Sequence, residues 1–135
     1  MIASADRHPL TPAEYLGWEA HQSVRHEYVA GHAYATTRGT IPHSAITVNL
    51  LTLLRTHVRG SSCHVLGTDA KVRITESGPF FYPDVLVTCD ERDKQVLQFV
   101  QFPCLVIEVL LPSTEAYDRG AKFAHYRNLE SLQEF

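Results

Sequence analysis

The stretch that decides the fold is Phe80-Phe81-Tyr82-Pro83-Asp84-Val85-Leu86-Val87-Thr88, which is apolar almost throughout and carries one acid near its start. A second run, residues 102–110, has a similar composition and carries Glu108. Runs rich in apolar, β-branched and aromatic residues are typical of strands covered on both faces. A carboxylate in such a strand costs free energy unless a partner or a metal compensates its charge. Two such strands therefore indicate a functional site rather than a requirement of the fold.

The composition indicates one soluble globular domain over residues 1–135. Hydrophobic residues make up 44% of the chain and charged residues 20%, which are ordinary proportions for such a domain. The net charge of -3 at pH 7 provides no global basic field. Tight binding to nucleic acid through phosphate contacts alone is therefore disfavoured. The net charge does not exclude an acidic site that binds phosphate through a metal ion.

The cysteines and the N-terminus indicate a compartment. Cys63, Cys89 and Cys104 are an odd number with no close pair in the sequence, and two of them stand in apolar strand-like runs, which favour reduced, buried thiols. The first seven residues are too few and too polar for a signal peptide. No apolar run approaches the roughly 20 residues of a membrane span. We therefore expect a cytoplasmic protein.

Capping and turn residues divide the first half of the chain into a helix, a hairpin and a second helix. Thr11-Pro12-Ala13-Glu14 combines a capping residue, a proline at the first helical position and the acid of a capping box. Two short β-rich runs flank Ala30-Gly31 and predict a hairpin. The strongest helix prediction covers residues 42–59, with Gly60 just past its end.

The second half is predicted to be mostly strands, followed by a helix. Residues 63–66 and 71–74 are either one strand interrupted near Gly67 or two strands. The two acid-bearing runs follow. Ser113-Thr114-Glu115 then offers a capping residue and an acid for a last helix, which we expect to extend to about Leu129.

The two strand acids can serve one cation. If the strands pair, Asp84 and Glu108 converge, and carboxylate oxygens are the ligands that hard cations prefer. Magnesium takes one or two carboxylates and leaves its other positions to water and substrate phosphates. A single acid in a strand is more often a salt-bridge partner, so this alternative stays open for each of them.

Longer motifs resemble a known family. Three of them surround the acids and the last helix: Tyr82-Pro83-Asp84-Val85, Ile107-Glu108-Val109-Leu110-x-Pro112-Ser113-Thr114 and Tyr117-Asp118-Arg119-Gly120-x-Lys122-Phe123-x-x-Tyr126. Others are Arg25-His26-Glu27-Tyr28-Val29-x-Gly31, His43 with Asn49-Leu50-Leu51, and Asp69-x-Lys71-Val72-Arg73. Together they cover nearly the whole chain and resemble the Uma2 family of the PD-(D/E)XK restriction-endonuclease-like superfamily.

The resemblance implies an α/β fold with a restriction-endonuclease-like core. In it, helices flank a central mixed β-sheet, and an N-terminal helix and hairpin precede the sheet. Chains of this kind continue past the position of Phe135 into a further core strand, which implies that the final strand is missing here. A bare sheet edge invites pairing with another copy. We therefore expect a homo-oligomer, most simply a dimer.

The resemblance also implies a metal-dependent endonuclease that hydrolyses phosphodiester bonds in DNA. Asp84 and Glu108 would be catalytic and hold magnesium, with manganese as an alternative, and Glu27 would be a further metal ligand. Leu110 stands where the superfamily pattern places a lysine. In Uma2-like chains that role moves to the following helix, which implies Lys122 as the catalytic lysine.

Three further residues are expected beside the metal site: Asp69, His43 and Tyr126. By helical spacing, Tyr126 and Glu115 share one stripe with Lys122. Ordinary roles stay open for the first two, since Asp69 also suits a turn and His43 a partly exposed helix start. The remaining histidines show no ligand spacing, and no C-x-x-C or H-E-x-x-H motif predicts zinc.

Two other functions compete with the nuclease. The first is a catalytically inactive nuclease-like module that binds nucleic acid or protein. The second is an enzyme that uses two acids without metal, such as a glycosidase, which requires a carboxylate separation of about 5–9 Å. At the residue level, Lys122 can be a solvated surface lysine, and Glu27 can face solvent or pair with Arg25.

Overall fold

A computed structural model of the chain describes residues 2–3, 8–36, 39–112 and 117–135. Its helices are α1 (Pro12–Glu19), α2 (Ile41–Val58) and α3 (Phe123–Tyr126), with a 3-10 helix at Glu91–Gln95 and a π-helical segment at Asp118–Lys122. Its strands are β1 (Ile2–Ala3), β2 (His26–Val29), β3 (His32–Ala35), β4 (His64–Leu66), β5 (Val72–Arg73), β6 (Phe80–Phe81), β7 (Val85–Thr88) and β8 (Pro103–Ile107). The predicted α/β class is confirmed.

The strands form two antiparallel sheets, where one central mixed sheet was expected. The larger has the order β1-β3-β2-β6-β5, and the smaller has the order β4-β7-β8. The two predicted pieces at residues 63–66 and 71–74 are therefore two strands, one in each sheet. Within the described ranges, isolated parallel bridges join Val72 to Val100 and Leu105 to Glu134.

The last residues of the chain lie along β8. Val106 N donates to Glu134 O at 3.2 Å, and Gln133 N donates to Cys104 O at 2.8 Å. Residues 133–134 therefore cover part of the β8 edge with backbone hydrogen bonds.

The hairpin carries Glu27 to the centre of the larger sheet. Ala30 and Gly31 both have positive φ, 50° and 87°, as a two-residue turn of matching twist requires. In the register of β2 and β3, Glu27 lies opposite Tyr34. Tyr28 pairs with Phe80 of β6, so the hairpin stands beside the stretch that leads to Asp84.

Both helices predicted for the first half of the chain are present. Thr11 and Glu14 form the expected capping box of α1. Helix α2 begins one residue earlier than predicted, after the cap residue Thr40. Many apolar side chains of α2 are exposed, among them Ile41 at 84% and Leu53 at 68%. No helix within the described ranges has both the length and the apolar character needed to cross a membrane.

The last helical region ends earlier and is less regular than predicted. The π-helical segment passes directly into α3, which ends at Tyr126 rather than near Leu129. The predicted cap Ser113-Thr114-Glu115 lies outside the described residues. Short π-helical segments often occur at functional sites, and this one ends at Lys122.

The core includes all of β7 but only part of β8, in which Cys104, Leu105 and Ile107 are half-buried. The expectation of a strand covered on both faces was therefore wrong for β8. Every residue of β7 is buried, as predicted for a strand covered on both faces. One cluster of buried side chains joins the two sheets to α3, and a second packs α1 on the hairpin. The first includes Val72, Phe81, Leu86, Val106 and Tyr126, and the second consists of Tyr15, Tyr28, Ala33 and Phe80.

A disulfide joins Cys63 to Cys89, so the expectation that two of the three cysteines are reduced, buried thiols was wrong. The cause is the register of β4 and β7, in which His64 lies opposite Thr88. This pairing brings the residues flanking the two strands together, although they are 26 positions apart in the sequence. Cys104 is a free cysteine, and it is half-buried rather than buried.

Candidate active site

Asp84 and Glu108 lie side by side at one end of the smaller sheet. Asp84 immediately precedes β7 and Glu108 immediately follows β8, and the register of these strands pairs Val85 with Ile107. Val109 N donates to Asp84 Oδ2 at 2.7 Å, which fixes Asp84 against the end of the neighbouring strand. Antiparallel pairing thus brings together the two acids that the sequence singled out.

Glu108 is buried beside two donors. Lys122 Nζ lies 2.8 Å from Glu108 Oε1, and Tyr126 Oη donates to the same oxygen at 2.8 Å. Burial raises the pKa of Glu108 to about 7; Lys122 opposes this shift and Glu27 adds to it. A carboxyl with this pKa changes its charge near neutrality, whereas an ordinary glutamate does so near pH 4.5.

Lys122 bridges two buried acids. Its Nζ lies 3.0 Å from Glu27 Oε2 and 2.8 Å from Glu108 Oε1, and its side chain is only 5% exposed. Burial by itself lowers the pKa of Lys122, but the carboxylates of Glu108 and Glu27 outweigh burial and raise the pKa. Lys122 is therefore a permanent ammonium inside the site rather than a solvated surface lysine.

Glu27 completes this buried group from the larger sheet. Its Oε2 accepts a hydrogen bond from Tyr82 N at 2.7 Å, in addition to the contact with Lys122. Glu27 therefore does not face solvent. Arg25, the other partner considered for it, forms an ion pair with Asp69 instead. The contacts of Glu27 tie β2 to the segment that carries Asp84.

His43 and Asp69 lie on the open side of the site. His43 Nε2 is 3.2 Å from Asp84 Oδ1, and each of the two side chains is 13% exposed. His43 and Asp84 line a cavity of about 440 Å³, together with Arg25 and Thr68. Asp69 is 95% exposed and contacts Arg25 rather than the buried acids.

A further buried acid, Glu19, was missed by the sequence interpretation. It is 6% exposed, and its Oε2 accepts hydrogen bonds from His26 N at 2.6 Å and Tyr82 Oη at 2.8 Å. Lys71 Nζ donates to the same Tyr82 hydroxyl at 3.2 Å. The available signal was helical spacing, because Glu19 follows the fully buried Tyr15 by one turn.

The donors fit a small oxygen-ligated cation. Asp84 and Glu108 supply one carboxylate each from the ends of two paired strands, and magnesium commonly takes one or two carboxylates from a protein. Within the described residues, no group of three or more His, Cys, Asp and Glu side chains is arranged to hold a metal ion. Glu27 contacts Lys122 and Tyr82 N. The two-carboxylate set therefore fits the expected ion, and the magnesium site stays a prediction.

Comparisons with known proteins show to which family the chain is similar. The sequence model of the Uma2 family, described as "Putative restriction endonuclease", matches residues 12–135. The uncharacterized protein slr1290 of Synechocystis sp. is 46% identical over 138 residues, which span 100% of this chain and 73% of the relative. The uncharacterized protein sll1609 of the same organism is 32% identical over 100% of this chain and 77% of its own length.

Proposed function

The chain belongs to the Uma2 family, as its motifs predicted, and from this premise we propose that it is a metal-dependent endonuclease that hydrolyses phosphodiester bonds in DNA. The observation that carries the proposal is the group formed by Asp84, Glu108 and Lys122: two carboxylates at the end of one strand pair, with a buried ammonium against one of them. The described fold is compatible with the restriction-endonuclease-like core expected of the family.

In this proposal Asp84 and Glu108 hold a magnesium ion, for which manganese can substitute. When bound, such an ion polarises a phosphate and lowers the pKa of a coordinated water. The protein contributes the fixed positions of the two carboxylates. Val109 N holds Asp84, and Tyr126 with Lys122 holds Glu108, so neither acid has to be ordered when substrate arrives.

Lys122 supplies positive charge to the same place. Its ammonium compensates the buried carboxylates of Glu27 and Glu108 in the metal-free protein. During the reaction it would hold the attacking water or stabilise negative charge that develops on the phosphate. Glu27 keeps the ammonium in place from the opposite side, which gives it a positioning role even if it does not itself ligate metal.

Cleavage of a supercoiled plasmid and of a linear duplex tests the proposal. We expect magnesium-dependent cleavage by the wild-type protein, and a loss of roughly a hundredfold or more in Asp84→Asn and in Glu108→Gln. Asp90→Asn is the matched control, because Asp90 is an acid paired with Arg92 at the surface. Its cleavage rate should equal that of the wild type.

Two results would contradict the proposal. Equal cleavage by wild type and Asp84→Asn would show that the activity comes from another site or another protein. Absence of cleavage by a folded wild-type protein, with magnesium and with manganese, would favour the inactive nuclease-like module. Retained binding of DNA in that experiment would identify nucleic acid as the partner of the module.

A further inference from the structure

An arginine at the mouth of the candidate active site is paired with an acid that is almost fully in water. Arg25 Nη1 lies 2.6 Å from Asp69 Oδ1, and it also donates to Thr68 Oγ1 at 3.3 Å. The side chain of Arg25 is 43% exposed and that of Asp69 is 95% exposed. The pair joins the start of the hairpin to the loop after β4, across 44 residues of sequence.

Arg25 and Asp84 share one cavity. Arg25, Thr68, His43 and Asp84 all contribute to its lining. Among the described residues that line it, Arg25 is the one with a permanent positive charge. The guanidinium also lies 5.8 Å from the ring centroid of Tyr82, which is two positions before Asp84, and so its position is linked to that of the acid-bearing segment.

We propose that Arg25 binds a backbone phosphate of DNA at the entrance to the site, and that Asp69 occupies its guanidinium until DNA replaces it. The inference rests on the proposed function, since it names the residue that would contact the substrate backbone there. Arginine presents a planar fork that binds two phosphate oxygens at once, as it does a carboxylate.

The exchange of partners is favourable for two reasons. Asp69 is exposed, so it regains full hydration when Arg25 leaves, and an exposed pair of this kind stabilises the protein very little. Asp84 lines the same cavity and repels the DNA backbone, so a phosphate gains from a cation at this entrance. The buried ammonium of Lys122 is bound by Glu27 and Glu108, whereas Arg25 can meet a phosphate at the surface.

The proposal predicts opposite effects for the two partners. Arg25→Gln should weaken binding of a short DNA duplex about tenfold, and should lower the slope of log Kd against log salt concentration by about 0.9. Asp69→Asn should strengthen binding about two- to fivefold, because the competing carboxylate is gone. In the Arg25→Gln background, Asp69→Asn should give no comparable gain.

The chain offers a matched control pair. Arg92 Nη2 lies 2.7 Å from Asp90 Oδ2 at the surface, and Arg92 lines a different cavity, beside Phe102 and Asn128. Arg92→Gln and Asp90→Asn make the same changes in charge away from Asp84. Fluorescence anisotropy of a labelled duplex, measured in EDTA over a salt series, compares all variants without cleavage, and melting curves confirm that each is folded.

Each outcome decides the proposal. It is supported if Arg25→Gln lowers affinity and the salt slope more than Arg92→Gln does, and if Asp69→Asn raises affinity more than Asp90→Asn does. It is overturned if substitutions in the Arg25–Asp69 and Arg92–Asp90 pairs change DNA affinity and its salt dependence to the same extent while the wild type binds and cleaves DNA. In that case the proposed function is retained. A wild type that neither binds nor cleaves DNA overturns both.

Discussion

Replacement of Lys122 by methionine tests how the buried charges are balanced. In the wild type the Lys122 ammonium lies 3.0 Å from Glu27 Oε2 and 2.8 Å from Glu108 Oε1. The side chains of Lys122 and Glu27 are each 5% exposed, and that of Glu108 is 7% exposed. Lys122→Met keeps most of the side-chain volume and removes the charge. It therefore leaves two buried carboxyl groups without their shared cation.

The loss of stability should depend on pH. Above neutrality, removing one partner of a buried ion pair costs about 3–5 kcal/mol. At pH 5.5 the variant can protonate its carboxyls instead, and each pH unit above the ordinary value of 4.5 costs about 1.4 kcal/mol per carboxyl. Because Glu108, with a pKa of about 7, is already protonated there, the expected loss falls to roughly 1–2 kcal/mol.

Urea denaturation of metal-free protein at pH 5.5, 7.0 and 8.5 measures this difference. Lys94→Met is the control, because Lys94 pairs with Glu91 at the surface and should cost less than about 0.5 kcal/mol at every pH. A loss for Lys122→Met that is below about 1 kcal/mol at pH 8.5 would contradict the charge argument. An equal loss at all three pH values would show that packing alone is responsible.

Two other predictions rest on described contacts, and a third concerns the oligomeric state expected from the sequence. The free energy of unfolding of the metal-free wild-type protein should fall by up to roughly 3 kcal/mol as the pH rises from 4.5 to 7, because the folded state holds the Glu108 proton more tightly than the unfolded chain does. Denaturation curves of Glu108→Gln should not show this dependence on pH. Reduction of the Cys63–Cys89 disulfide, or Cys63→Ser with Cys89→Ser, should cost roughly 3–4 kcal/mol for a closed loop of this length, and Cys104→Ser should not reproduce the loss. Sedimentation should show the predicted dimer, and a monomer at tens of micromolar would refute it.

The two strand acids could be predicted from the sequence, because an apolar composition around a residue predicts that it is buried. The apolar runs on both sides of Asp84 and Glu108 predict covered strands, and the antiparallel register brings the acids together. The capping residue Thr11 is equally local, since its partner Glu14 is within one helical turn. The assignment of Lys122 to the site came from the resemblance to Uma2 rather than from the residues alone.

Other contacts depend on distances that a linear pattern does not encode. The bond between Cys63 and Cys89 follows from the register of two strands, and neither cysteine carries a local signal for it. Arg25 and Asp69 meet only because the hairpin and the loop after β4 are neighbours in the folded chain. The division into two sheets is a long-range property of the same kind.

The most direct test of the central claim is calorimetric titration of the wild-type protein with manganese at pH 8, where Glu108 is ionised. The account predicts that Asp84 and Glu108 act as one site, so that the wild type shows saturable binding, and that both Asp84→Asn and Glu108→Gln abolish it. The Asp90→Asn control should bind like the wild type. Unchanged binding in Asp84→Asn, or no binding by the folded wild type, would contradict the account.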